Sequence, residues 1–165
     1  MIIIKKNIFL LLGIFLFTLS GCGFTPMYSQ KNLNSKINIY ASEININGDR
    51  IVNRTIQKNL AYLTKKTNTE KFRIISLNIT NSVVRKINTK NAKGKAAIYN
   101  LKLITVVQII EDNVAVSKRT FEKDFSYNNN DNVFELEQYE KIIKNNLGTQ
   151  SSNEIIKFLI NFKGS

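Results

Sequence analysis

The sequence contains no histidine and no tryptophan, and it has one cysteine and one proline. Without histidine, the chain has no serine–histidine or cysteine–histidine catalytic pair, and it lacks the usual nitrogen ligand of zinc sites. Because Cys22 is the only cysteine, an internal disulfide is excluded. No paired-carboxylate spacing and no glycine-rich phosphate loop is evident either. We therefore expect a protein that is not an enzyme, with no catalytic residues, no metal site and no diffusible cofactor.

Acidic residues are scarce: 12 Asp and Glu stand against 24 Lys and Arg, which gives a net charge of +12. Two explanations stay open. A basic surface suits an anionic partner such as a phosphorylated lipid or a nucleic acid. Alternatively, the lysines reflect a genome rich in A and T, since the abundant Ile, Lys and Asn all have A/T-rich codons. Export of the chain, argued next, removes most nucleic-acid interpretations, so we expect no nucleic-acid partner.

The first 21 residues have the parts of an export signal in the expected order. Lys5 and Lys6 supply the positive start, and an apolar run from Ile8 to Leu19 follows, interrupted only by Gly13 and Thr18. This run is too short to span a bilayer comfortably, because a transmembrane helix takes about 20 apolar residues. The pattern predicts a signal peptide over residues 1–21 that is cleaved from the mature chain.

The segment Leu19-Ser20-Gly21-Cys22 resembles a lipobox, the motif cleaved by lipoprotein signal peptidase. Small residues at Ser20 and Gly21 admit the scissile bond, and the Cys22 thiolate takes a diacylglycerol group. A free cysteine in an oxidising compartment would be a liability unless its sulfur is already used. We therefore predict Cys22 as the lipid attachment site, carrying diacylglycerol and an N-acyl chain. The alternative is a buried cysteine near the end of an inner-membrane anchor.

The predicted lipid fixes where the protein resides. Each buried CH₂ adds about 0.8 kcal/mol of membrane affinity, so two or three acyl chains make an effectively permanent anchor. In enteric-type sorting, an aspartate after the lipidated cysteine favours the inner membrane, whereas here the residue is Gly23. We expect an outer-membrane lipoprotein on the periplasmic side. Residues 22–35 are predicted to be a lipidated tether and residues 36–165 a single domain.

Hydrophobic periodicity predicts a strand and then a helix at the start of this domain. The strand covers Lys36–Ile46, and its apolar positions change phase near Ser42-Glu43, as at a β-bulge. Asp49 is the predicted N-cap of a helix that runs to about Lys66. The apolar residues of that helix recur at helical spacing, at Val52, Ile56, Leu60 and Leu63.

Three strands and a long helix are predicted for the rest of the domain. Period-two alternation places the strands over Phe72–Ile87, Ala96–Ile110 and Val114–Tyr127. Glu111-Asp112-Asn113 predicts a tight hairpin turn in which Asn113 takes a positive φ. The last helix covers Val133–Phe162, where the segment Gly148–Asn153 leaves either a kink or two helices open.

This order of elements, β-α-β-β-β-α, predicts an α+β two-layer sandwich: a four-stranded, mostly antiparallel sheet with two helices on one face. The alternative is a sheet with helices on both faces. Alternation along the strands argues against it, because that pattern is typical of a sheet with one covered face and one wetter face.

Two segments resemble a known family. Cys22-Gly23-Phe24-Thr25-Pro26-Met27-Tyr28 resembles the opening of the LPS-assembly lipoprotein family (LptE) in its alphaproteobacterial form, and Phe125-Ser126-Tyr127-Asn128 also looks like that branch. The segment Gly148–Asn153 departs from the Ala/Arg/Glu-rich helix of the family. The resemblance implies a plug and assembly partner inside the LPS-translocon barrel (LptD-like). Such a protein contacts lipopolysaccharide on its way to the outer leaflet and performs no covalent chemistry.

Two groups of side chains are candidate contacts under this resemblance. Phe24, Pro26 and Tyr28 lie near the lipid and suit docking at the boundary of barrel and membrane; the alternative is a loosely packed tether. The basic residues of one sheet loop suit contact with LPS phosphates, since charge-assisted hydrogen bonds are stronger than neutral ones; the alternative is a solvated hairpin loop. These residues are Arg85, Lys86, Lys90, Lys93 and Lys95.

A second function stays open beside the barrel subunit. The chain could be another periplasmic-facing lipoprotein that binds anionic lipid or peptidoglycan, or that pilots a different secretion pore. An enzyme would need carboxylates or a serine–lysine pair, and no such arrangement is evident. Co-purification with a large barrel protein separates the first two functions.

Overall fold

Four strands and two helices form the part of the chain that the structure, a computed structural model, describes: residues 39–65 and 73–162. The elements are β1 (Ile39–Asn47), α1 (Arg50–Leu60), β2 (Arg73–Lys90), β3 (Ala96–Glu111), β4 (Val114–Asn128) and α2 (Val133–Asn161). The strands make one sheet in the order β1-β2-β3-β4, with β1 parallel to β2 and the other pairs antiparallel. The predicted α+β fold and its element order are confirmed.

Strand β1 carries the irregularity that its phase change predicted. Its register against β2 shifts between Ala41 and Glu43, so Ser42 is an extra residue on the β1 side. The Ser42 hydroxyl donates a hydrogen bond to the Ile75 carbonyl at 3.1 Å. Because of the bulge, Ile44 and Ile46 lie beside core residues of β2, as does the fully buried Ala41 before it.

Asp49 caps α1, as predicted. Its Oδ1 accepts hydrogen bonds from the backbone N–H groups of Ile51 at 2.9 Å and Val52 at 3.2 Å. The α-helix ends at Leu60, earlier than predicted, because Ala61–Thr64 tightens into a 3₁₀ turn. The apolar stripe is nevertheless buried along its length, through Val52, Ile56, Leu60 and Leu63.

The turn between β3 and β4 has the predicted geometry. Asn113 has φ 65° and Asp112 has φ 47°. Two consecutive positive φ values are the mark of the type I′ turn, whose twist matches that of the flanking strands. Asparagine and aspartate tolerate this left-handed region better than other residues with a side chain, which explains why they stand there.

Both helices pack on the same face of the sheet, and the core lies between the two layers. The odd-numbered residues of β2 and β3 point toward the helices, and most are buried. Those almost fully buried are Ile75, Leu77, Ile79, Leu101, Leu103, Val107 and Ile109. The helices also pack against each other, as α2 contacts α1 more extensively than it contacts any strand. We call the other side of the sheet the open face.

Helix α2 is one continuous helix of 29 residues, so the kink and the pair of helices are both excluded. The segment Gly148–Asn153 packs closely against the rest of the domain. A Cβ at Gly148 would lie 3.2 Å from the Thr55 side chain of α1. Ser151 is buried and donates a hydrogen bond to the Thr105 hydroxyl of β3 at 2.9 Å. Small residues stand here because α1 and β3 approach the helix closely.

Candidate functional site: the basic end of the sheet

The predicted basic residues lie where β2 extends beyond its neighbour β1. Strand β1 pairs with β2 only up to Thr80, whereas β2 continues to Lys90. Over residues 81–90, the only strand among the described residues that pairs with β2 is β3. Here the β2–β3 hairpin extends beyond β1, while β3 stays paired with β4, and all five predicted basic residues lie on this hairpin. We call residues 81–104 the protruding hairpin.

Asn91 organises the turn of this hairpin. Its backbone N–H donates to the Lys95 carbonyl at 2.8 Å, and its Oδ1 accepts from the N–H groups of Lys93 and Lys95, both at 3.0 Å. Gly94 has φ 76°, a left-handed conformation that favours glycine. Asn91 is not among the predicted site residues, although an asparagine three residues before a glycine is a turn signal. The turn therefore holds its two lysines on a fixed backbone.

Four of the basic side chains are available for a ligand. Lys86, Lys90, Lys93 and Lys95 are all exposed, and none forms an ion pair with any residue that the structure describes. Each exposed contact with a phosphate would be weak because water screens it. Four such charges at one end of a hairpin nevertheless give a local excess of positive charge that attracts multiply charged anions.

Arg85 has a different environment from the lysines. It points to the helix side of the sheet, where its Nη1 donates to Glu140 of α2 at 2.9 Å and its guanidinium lies 5.0 Å from the ring centroid of Tyr99. The Tyr127 hydroxyl donates to the same Glu140 oxygen at 2.5 Å. The hydrogen bond to Glu140 raises the pKa of Arg85, and burial together with Glu140 raises the pKa of Tyr127. Arg85 thus fastens the hairpin to α2.

A polar cleft of about 720 Å³ lies beside the turn, between β3 and the loop that leads into α2. Asn129 ties this loop to the hairpin: its N–H donates to the Ala97 carbonyl at 2.9 Å, and its Nδ2 donates to the Ala96 carbonyl at 3.0 Å. The cleft is lined by four asparagines, three charged residues, Tyr139 and three apolar residues. The charged residues are Lys95, Asp131 and Glu135. Such a lining offers hydrogen bonds to hydroxyl and phosphate groups of a polar ligand.

The predicted anchor and docking residues lie outside the described residues. These are Cys22, Phe24, Pro26 and Tyr28. Within residues 39–65 and 73–162, no three metal-ligating side chains lie close enough together to hold a metal ion. In the same part of the chain, no helix is both long and apolar enough to cross a membrane.

The sequence matches no protein-family model and no curated protein. The structure is similar to that of rare lipoprotein B from Shewanella oneidensis, with a TM-score of 0.55, 11% identity, and coverage of 71% of this chain and 92% of that one. A putative lipoprotein from Caulobacter crescentus CB15 gives a TM-score of 0.52 and 10% identity, covering 80% and 96% of the two chains. For a minor lipoprotein from Acinetobacter baumannii the TM-score is 0.54 at 14% identity, with 76% and 96% covered. At these identities the likeness establishes a shared fold.

Proposed function

We propose that this chain is a lipid-anchored outer-membrane lipoprotein that assembles with and plugs the LPS-translocon β-barrel, an LptD-like protein, and aids insertion of lipopolysaccharide into the outer leaflet. The observation that carries the proposal is the fold, which the three solved lipoproteins share over 92–96% of their length. The lipobox at Cys22 and the motif from Cys22 to Tyr28 support it from the sequence.

The anchor is the first part of the proposal. Diacylglycerol and an N-acyl chain on Cys22 hold the mature chain at the periplasmic leaflet of the outer membrane. Phe24, Pro26 and Tyr28 follow within six residues of the lipid. Aromatic side chains with a polar end favour the membrane interface, so this segment docks where the barrel wall meets the lipid.

The four exposed lysines are the second part. Lipid A carries phosphates, and a lysine ammonium forms charge-assisted hydrogen bonds to phosphate oxygens. Lys90, Lys93 and Lys95 stand within six residues of one another around the Asn91 turn. Because the contacts are exposed, their strength should fall as ionic strength rises. Arg85, already bound to Glu140, contributes to this site by holding the hairpin in place.

Affinity purification of the tagged chain in mild detergent tests the assembly. We expect a stoichiometric outer-membrane barrel together with lipopolysaccharide, and an acyl-modified Cys22 by mass spectrometry. The Cys22→Ser variant should lose the acyl groups and fail to reach the outer membrane. Acylated protein without a barrel partner would instead support the alternative, a lipoprotein that binds anionic lipid or serves another pore.

A charge-reversal variant tests the lysine contact separately from assembly. We expect K90E/K93E/K95E to retain the barrel while the lipopolysaccharide that co-purifies falls severalfold. The matched control is R50E/R54E/K58E, which reverses three exposed charges on α1 and leaves the lysines of the hairpin turn unchanged. Equal losses in both variants, or no loss in either, would refute a specific phosphate site at the turn.

The docking segment has its own test. Replacing both aromatics, in F24S/Y28S, removes apolar contacts but leaves Cys22 and its lipid. We expect the variant to reach the outer membrane and to yield less barrel on purification. An unchanged barrel yield would show that the segment is only a tether.

A further inference from the structure

The free edge of β2 on the protruding hairpin has hydrogen-bonding groups that no described strand satisfies. Beyond Thr80, β1 leaves the sheet, and β2 runs on beside β3 in unbroken register to Ile87. After Ile87 the register shifts, which ends the regular edge. We call Ser82–Ile87 the free edge. An edge of this kind presents a row of N–H and C=O groups that can template another strand.

The position of Gly48 shows which backbone groups point outward. An ideal Cβ on Gly48 would lie 2.0 Å from the Asn81 carbonyl oxygen, so that carbonyl points toward the β1 side of the strand. Along a regular strand the N–H and C=O of successive residues alternate between the two sides. The groups of Val83, Arg85 and Ile87 therefore point outward, whereas those of Ser82, Val84 and Lys86 pair with β3.

The side chains along the free edge set the chemistry of what binds there. Val84 is 38% exposed on the open face and Ile87 is 51% exposed on the helix side. Lys86 adds an exposed positive charge on the open face, next to Val84 in that row. On the helix side the charge of Arg85 is already balanced by Glu140. The uncompensated charge of the edge is thus positive and lies on the open face.

From this pattern we infer that the free edge of β2 accepts an extended segment of another polypeptide, one whose side chains alternate between apolar and acidic. The backbone of the segment continues the sheet, its apolar side chains cover Val83 and Ile87 on the helix side, and its carboxylates lie beside Lys86 on the open face. Main-chain hydrogen bonds supply affinity in this mode of binding, and the alternating side chains supply specificity. The inference requires no lipid and no barrel, so it stands apart from the proposed function.

Charge argues against the other two arrangements. A second copy paired through the same edge would bring a second Lys86 onto the same open face, and like charges across a strand pair are destabilising. Strand β4, the other outer strand of the sheet, carries Glu122 and Asp124 on its open face. Lys102 balances the charge of Glu122, but Asp124 forms no ion pair with any residue that the structure describes. Its charge would repel an acidic segment, which makes this part of β4 the poorer acceptor.

Amide hydrogen exchange on the full-length chain in detergent gives a direct test. The probe is a ten-residue synthetic peptide of alternating valine and glutamate, and the control peptide has lysine in place of glutamate. At a peptide concentration of about one hundred times the Kd, we expect exchange of the backbone amides of Val83, Arg85 and Ile87 to slow by about a hundredfold. The amides of Ser82, Val84 and Lys86 should change little, because β3 already protects them. The lysine peptide should have no effect.

Substitutions check the charge. Lys86→Glu should weaken peptide binding severalfold in a fluorescence anisotropy titration, since an exposed attraction is replaced by a repulsion. Lys118→Glu, an exposed change on the open face of β4, should leave binding unaltered. A result in which both variants bind equally well would remove the role of Lys86 and overturn the inference.

Four further outcomes would also overturn it. Protection of Val83, Arg85 and Ile87 before any peptide is added would assign the edge to another segment of this chain or, if it depends on protein concentration, to a second copy. Peptide-induced protection at β4 would show that the peptide binds to the edge of β4 and not to that of β2. Protection of all six residues alike would indicate general stabilisation, and no protection at saturating peptide would show that the edge does not accept a strand.

Discussion

Strand β2 has two halves that carry the same alternating pattern of apolar side chains but bury those side chains to different extents. In the first half, paired on both edges, Ile75, Leu77 and Ile79 are at most 1% exposed. In the second half the same helix-side row continues to Ile87, which is 51% exposed. Period-two alternation therefore specifies the face on which a side chain lies, and the neighbouring strands and helices decide how deeply it is buried. One strand thus serves as core at one end and as a presenting surface at the other.

Asn81 marks the boundary between the halves. It is 4% exposed, and its side chain satisfies the groups left over where β1 ends and α1 begins. Its Nδ2 donates to the Asn47 carbonyl at 3.1 Å and to Asn53 Oδ1 at 2.6 Å, and its Oδ1 accepts from the Asp49 N–H at 3.0 Å. Buried polar atoms are costly unless they are hydrogen-bonded. Strand β2 can therefore change from pairing on both edges to pairing on one edge, because Asn81 satisfies the Asn47 carbonyl and the Asp49 N–H at the point of change.

Truncation of one apolar side chain in each half of β2 should give the largest difference in the free energy of unfolding. Leu77→Ala leaves a cavity in the core, and we expect it to lower the free energy of unfolding by about 2–5 kcal/mol. Ile87→Ala removes a side chain that is half in water, and we expect a loss of about 1 kcal/mol or less. Urea unfolding of both variants measures the difference. Equal losses would mean that the second half is buried by something beyond the described residues.

Replacing one of two glycines by alanine should give the next largest difference in stability. Gly48 has φ 129°, and its missing Cβ leaves room for the Asn81 carbonyl; we expect Gly48→Ala to cost about 2–4 kcal/mol of stability. Gly94 at the hairpin turn has φ 76° with no atom within 4 Å of an added Cβ, so Gly94→Ala should cost about 1 kcal/mol, from its backbone conformation alone. Thermal unfolding compares the two. A larger loss at Gly94 would contradict the view of the turn as an open end.

Asp49, at the start of α1 beside Asn81, makes the stability of the domain depend on pH. Partial burial raises its pKa, but the hydrogen bond and charge of Lys144, at 2.7 Å, and the N–H groups of α1 outweigh that, so the pKa lies below 3.8 in the folded protein. A carboxyl whose pKa is lowered on folding stabilises the protein above its unfolded pKa, and this stabilisation is lost as the pH falls through the folded pKa. Asp49→Asn keeps a capping side chain, so we expect a loss of about 1 kcal/mol at pH 7 that shrinks as the pH falls through the folded pKa of Asp49.

Unfolding measured from pH 7 to pH 2 checks this dependence. Lys144→Met serves as the matched variant, because it removes the charge partner while leaving the cap intact. It should reduce the pH dependence that Asp49 contributes. A difference between the parent chain and Asp49→Asn that grows on acidification would contradict the assignment.

The fold was largely predictable because its signals are local. Alternation identified the strands, Asp49 identified the start of α1, and Asp112-Asn113 identified the turn. The interpretation of residues 148–153 was left open for a physical reason: glycine and serine weaken an isolated helix, but here they permit close contact with Thr55 and Thr105. That contact joins residues far apart in the chain, and no local pattern reports it.

The candidate site was predictable only in part. Sequence placed the five basic residues around one loop, and the structure places all five on one hairpin. It could not separate Arg85 from the lysines, since that depends on Glu140, which lies 55 residues further along the chain. Nor could it show where β1 stops pairing, which creates the free edge. The anchor at Cys22 and the docking residues stay predictions.

The smallest expected effect compares two ion pairs, one on the open face of the sheet and one on its helix side. Lys102 and Glu122 meet at 2.6 Å on the open face of the hairpin region, with side chains 35% and 54% exposed, whereas Lys144 and Asp49 are 23% and 20% exposed. Water screens the first pair more, so a double-mutant cycle through alanine should give a coupling of about 0.5 kcal/mol or less. The second pair, which also supports a helix cap, should couple by about 1 kcal/mol or more. A stronger coupling at Lys102 would contradict this comparison, because it would mean that the open face is shielded from solvent in the isolated protein.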